Sequence, residues 1–413
     1  MNTAAENRAV PPPVVRAART GVAVVFALNG LAVATWFSRV PAVRDALGLS
    51  AGRLGLLLLA MSGGAVLALT TAGLVTQWLG PARTVVASTV LVAVGLAGVG
   101  VATPLGSLPG VAVGLFALGY GSGTCDVGMN VEGAAVEKRL GRTILPRFHA
   151  AWSLGSVAGA GLGAGAARLG VPITVHLTVL AAVVLGGTLL GARNFLPAPA
   201  ASTADGAAST RRGELLAAWR EPRTLLIGAL VLVMAFTEGS ANDWLAVAFV
   251  DGYGVSEAAG AAVFGVFVAG MTIGRTVGTV AIDRWGRVPV LIGTILLAAA
   301  GSLLAVLAGS GPLAVVGVVL WGLGASLGFP VGMSAAADDE ERAPARVSVV
   351  AVLGYTSFLA SPPLLGLLGD HVGILHALLV VPVLLIPTLA LVPATRPPAG
   401  TAPQAPVDPV QKN

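Results

Sequence analysis

Gly121-Ser-Gly-Thr-Cys-Asp-Val-Gly-Met-Asn-Val-Glu132 closes a long apolar run, residues 106–131, which sets one carboxylate, Asp126, among alanines, valines, leucines and glycines. A charged side chain near the middle of a membrane helix costs roughly 2.5–3.5 kcal/mol even on the lenient insertion scale, so such a residue lines a cavity or pairs with something. Asn130 follows four residues later on the same helical face, where its amide can hydrogen-bond a carboxyl in either protonation state. The reading that organises the rest is a proton site shared by Asp126 and Asn130. Its competitor is a structural acid tied to a backbone amide or to an arginine of another helix.

The 413 residues are 55% hydrophobic and 10% charged, whereas soluble chains keep about a quarter of their residues charged. Apolar segments recur at the ~20-residue length that crosses a ~30 Å hydrocarbon core. Twelve spans are expected: 21–37, 54–75, 85–102, 106–131, 148–167, 172–192, then 225–250, 258–282, 288–308, 312–333, 347–368 and 372–391. The fold class is therefore an all-α membrane protein of two six-helix bundles, 21–192 and 224–393. They are preceded by a segment 1–20, joined by an Ala/Pro/Ser/Arg-rich linker 193–223, and followed by a Pro-rich tail 394–413 read as disordered. The apolar run after Arg8, Arg16 and Arg19 continues to Phe37 without a clean cleavage site, so it is a retained first span rather than a signal peptide.

Both termini placed in the cytoplasm put 19 of the 24 Lys and Arg inside, against Arg39, Arg44, Arg53 and Arg168 outside; Arg275 alone falls within a span. That asymmetry sets the expected orientation in the cell membrane. The net charge of +5 is thus a topological signal and implies no nucleic acid. A lone Cys125 and the absence of Cys/His spacing argue against a metal or disulfide framework. No phosphate loop or nucleophile triad points to an enzyme, and no cofactor is expected beyond a proton gradient.

The halves repeat. Asp45-Ala-Leu-Gly-Leu-Ser50 returns as Asp251-Gly-Tyr-Gly-Val-Ser256, and the same offset carries Gly64 onto Gly270 and Gly80 onto Gly286; Val127-Gly-Met-Asn130 returns as Val331-Gly-Met-Ser334. Parallel repeats joined by a linker form a transporter architecture whose site lies at the midplane between them.

With these features the chain resembles the major facilitator superfamily along its whole length. Asp283-Arg284-Trp285-Gly286-Arg287 is similar to that superfamily's gating loop, while Gln77 and Trp78 degrade the matching loop of the first half. Four stretches, Asp126–Asn130, Arg147–Gly155, Glu238–Trp244 and Ser361–Gly366, are similar to the MosC-like branch, which is linked to rhizopine and sugar-like solutes. The Asp126-to-Asn130 spacing also resembles the acid-x-x-x-Asn of fucose:proton symporters, in which that acid takes the proton. Their second acid falls on Phe37 here, and its repeat position is Asp243. The resemblance implies gating by Asp283, Arg284, Gly286 and Arg287.

The remaining candidates come from the residues themselves. Glu238 and Asp243 lie in the seventh span, roughly 140° apart around a helix, while Glu238 and Asn242 share a face. Each is a solute or proton ligand or an inter-helix latch, and Asp243 is also a possible outer partner of Arg39. Arg275, always charged, needs a carboxylate, with Glu238 or the Asp283 gate as the candidates. His149 is a proton relay to Asp126 or an interfacial histidine. Trp36, Trp152, Trp244 and Trp321 could form a stacking wall or a membrane-interface belt. The expectation is a monomeric proton-coupled transporter of a small polar or sugar-like solute. Its alternatives are a proton-driven exporter of a metabolite or drug and a non-transporting receptor.

Overall fold

The computed structural model describes residues 13–141, 144–197, 215–339 and 342–397. The distal parts of the expected N-terminal segment, linker and tail, along with Arg142, lie outside the described residues. The first half contains α1 (Pro13–Ser38), a short α2 (Val40–Leu47), α3 (Ala51–Leu79), α4 (Pro81–Ala102), α5 (Leu108–Leu140), α6 (Leu145–Arg168) and α7 (Ile173–Ala192). The second contains α8 (Pro222–Tyr253), α9 (Glu257–Trp285), α10 (Arg287–Leu307), α11 (Gly311–Ala325), α12 (Gly328–Ala336), α13 (Ala343–Val372), α14 (Ile374–Ala377) and α15 (Val380–Thr388), with a 3-10 turn over Leu389–Thr395. Among the described residues eleven stretches are long and apolar enough to cross a membrane. With α6 they make the twelve spans; α6 is less apolar because Arg147, His149, Ser153 and Ser156 interrupt it.

The repeated sextet explains why the halves match. Gly48 and Gly254 end α2 and α8 in the left-handed region, φ 59° and 65°, a conformation glycine adopts without a Cβ penalty. Two residues later Ser50 and Ser256 cap α3 and α9, each accepting a hydrogen bond from the backbone N–H three residues on, both at 3.3 Å. The halves differ where Val127–Asn130 and Val331–Ser334 correspond. Helix α5 runs unbroken for 33 residues, while its counterpart is divided at Ser326–Leu327 into α11 and α12.

Without a hydrophobic drive between helices in lipid, close packing relies on small residues. A Cβ on Gly119 of α5 would overlap the Met61 carbonyl of α3, and one on Gly155 of α6 would overlap the Ala27 carbonyl of α1. The two halves meet through α3 against α13 and α6 against α9. At the end opposite the termini this contact is tight: Gly52 lies on Asp370, Gly55 on the Pro362 carbonyl and Gly366 on Ala51. From mid-depth toward the termini the same two helices part. A cavity of about 350 Å³ opens there between Val66, Leu69 and Thr70 of α3 and Ser348, Ala351 and Tyr355 of α13.

Candidate functional site

Three polar side chains, Ser122, Asp126 and Asn130, follow one another at intervals of four along α5. Ser122 Oγ donates to Oδ1 of Asn29 on α1 at 3.1 Å. Asn130 Nδ2 donates to the Asp126 carbonyl at 2.8 Å and to Asp126 Oδ1 at 3.2 Å. Asp126 itself is exposed rather than packed, and among the described residues the Asn130 amide is the only hydrogen-bond partner of its carboxylate. From the other half, Tyr355 of α13 lies within Coulombic reach of both Asp126 and Glu238. Tyr355 also lines the α3–α13 cavity, so it marks where the second half comes nearest the two carboxylates.

The second carboxylate is already engaged. Arg275 Nη2 of α9 donates to Glu238 Oε1 and Oε2 of α8 at 3.3 and 3.2 Å. The single arginine within a span is thus neutralised by the half it belongs to, as an always-charged group in a low-dielectric setting requires. Asn242 and Asp243 are half-buried one and a half turns further along α8.

Several sequence expectations are corrected here. Arg39 does not pair with Asp243: it is buried, donates from Nη2 to the Val171 carbonyl at 3.3 Å, and has Glu257 as its nearby charge. His149 makes no hydrogen bond to Asp126. It is exposed at the first turn of α6, stands edge-on to Phe26 with ring centroids 5.2 Å apart, and has Arg275 as its charged neighbour across the interface. Trp36, Trp244 and Trp321 are fully buried, so in this conformation they offer no stacking wall. Trp321 packs edge-on against Phe267, and only Trp152 is half-buried at a helix surface. Of the expected gating residues, Asp283 is exposed, Arg284 lies over the Trp285 ring at 5.7 Å, and Gly286 turns the chain at φ 82°. Arg287 stays within its own half, donating to Asp338 at 2.6 Å and Ser334 at 3.2 Å. Arg223 Nη2 shares Asp338 at 2.8 Å.

Sequence reasoning missed Tyr355, Asn29 and Ser122. The spacing of four from Ser122 to Asn130 was readable; the approach of Tyr355 depends on how the two halves dock, through α3 against α13 and α6 against α9. Glu132 also has a structural duty: it is buried, and its Oε1 accepts from the Leu196 amide at 2.6 Å, tying α5 to the segment after α7.

A sequence model of the Major Facilitator Superfamily matches residues 232–412. An uncharacterized transporter of Sinorhizobium fredii is 35% identical over 351 residues, covering 85% of this chain and 90% of its own. An uncharacterized MFS-type transporter of Yersinia pestis is 31% identical over 375 residues, 90% and 93% of the two chains. The membrane protein MosC of Rhizobium meliloti is 29% identical over 361 residues, 87% and 86%. Among solved structures, the nucleoside transporter NupG superposes with a TM-score of 0.73 at 12% identity over 92% of this chain and 98% of its own. A single-site variant of the Escherichia coli fucose:proton symporter FucP gives 0.63 at 18% identity, over 92% and 98%. These last two are likenesses of fold.

Proposed function

The chain belongs to the major facilitator superfamily of secondary transporters and is not an enzyme, and on that premise we propose that it moves a small polar or sugar-like solute together with a proton by alternating access. The observation that carries this reading is Asp126: an exposed carboxylate within an apolar span, in electrostatic range of Tyr355 of the other half, with one amide partner and, among the described residues, no cation bonded to it. Such a group changes the charge of the cavity when it gains or loses a proton. With Asp126 protonated and solute bound, the cavity holds no unpaired charge and the halves rock across the site; with Asp126 ionised and the cavity empty, that movement is costly.

The positive-inside bias supports cytoplasmic termini in the cell membrane, and the described conformation is then inward-open. The cavity also selects by charge. Arg275 is already paired with Glu238, so an anionic solute finds no free arginine to neutralise it and would leave the loaded site with an unpaired charge. Hydroxyl-bearing neutral solutes find Asn130, Ser122 and Tyr355. Arg287 is held by Asp338 of its own half in this state, and the reading has the loop exchange that partner for one in the other half when the inner end closes.

The test is uptake into proteoliposomes with an imposed pH gradient, scanning neutral, cationic and anionic sugar-like solutes. A neutral or cationic solute should accumulate with the proton gradient and lose accumulation on its collapse. Accumulation indifferent to the gradient, or confined to anionic solutes, overturns the reading.

A further inference from the structure

We propose that Arg44 is the latch that holds the end opposite the termini closed, one cation serving the two repeat-related carboxylates of both halves. Arg44 lies on α2, outside the spans. Its Nε donates to Asp45 Oδ1 at 2.8 Å, its Nη2 meets the same oxygen at 2.7 Å, and its Nη1 reaches Asp251 Oδ2 of the other half. Asp45 and Asp251 are the opening residues of the repeated sextet, so duplication supplies an acid on each side of the interface. The repeat position of Arg44 is Val250, so only one arginine stands between them. Its side chain is 12% exposed, against 47% and 40% for the two aspartates, which places the guanidinium under the closure and the acids at its rim. Beside it Ser50 Oγ donates to Asp370 Oδ2 at 3.2 Å, also across the halves.

The inference rests on the alternating-access reading and adds the residue that biases it.

The experiment is a distance measurement between spin labels placed at Arg168 and His371, exposed positions of opposite halves at this end, in protein reconstituted in liposomes; Cys125 is buried and stays unlabelled. Wild type should give a predominantly short distance. Arg44→Gln and Asp251→Asn should each raise the long-distance population about fivefold, the size of one good exposed-to-half-buried ion pair, and the Arg44→Asp/Asp251→Arg exchange should restore the short one. A Gly55→Trp wedge against the Pro362 carbonyl should open this end independently of the latch. If the wedge opens it while Arg44→Gln and Asp251→Asn do not, or if the exchange fails to restore closure, Arg44 is no latch and alternation stands. If neither wedge nor latch variants move the distance, the end does not open and both readings fall.

Discussion

At the scale of single residues the account separates an unengaged acid from an engaged one. Asp126 has an amide and open space before it, while Glu238 holds Arg275 through both oxygens. Removing one member of the second pair strands its partner. Because Arg275 is 30% exposed on the cavity side, the cost falls well below that of a fully buried pair, about 1–2 kcal/mol. Glu238→Gln and Arg275→Gln should each lower the thermal midpoint by a few degrees, and the double variant should lose less than the sum, read by thermal unfolding in detergent. Additive losses would mean the two side chains do not act as a pair. Outside the membrane, Arg346 beside Glu221 holds that carboxyl below its ordinary value. The bond between the starts of α8 and α13 is therefore present above the usual carboxylate range and is lost as pH falls through the lowered folded value. Hydrogen exchange at Leu225 and Thr224 should accelerate only in that acid window in wild type, and at every pH in Glu221→Gln.

At the scale of elements, helix contacts are made by missing side chains. Gly119→Ala and Gly155→Ala should each force α5 from α3 or α6 from α1, costing several kcal/mol and most of the folded yield. Gly161→Ala, with open space around it, should be neutral. Monodisperse protein by size-exclusion chromatography distinguishes the two classes, and equal tolerance at all three sites would deny the packing. The elements were also where sequence reading succeeded and stopped. Twelve apolar runs and the Asp45/Asp251 sextet were visible because hydropathy and turn chemistry are local. The break at Ser326–Leu327, the short α2 and the Glu132–Leu196 tie were not, because each answers to a neighbour distant in sequence.

At the scale of the whole molecule, two repeated halves touch firmly at one end and part at the other, where Tyr355 lines the gap within electrostatic range of Asp126. The bond between Asn130 and Asp126 was legible from their spacing of four alone. The tryptophan wall and the Arg39–Asp243 pair were misread because composition cannot say which side of a helix meets the cavity. Alternation around a single titrating acid is the claim on which the rest depends. Once a solute is identified, its most direct test is the proton current evoked by that solute on a supported membrane carrying wild type or Asp126→Asn. Wild type should give a solute-dependent proton transient, and Asp126→Asn should bind the solute and exchange it across the membrane while the transient falls at least tenfold. An undiminished transient in Asp126→Asn would contradict the account.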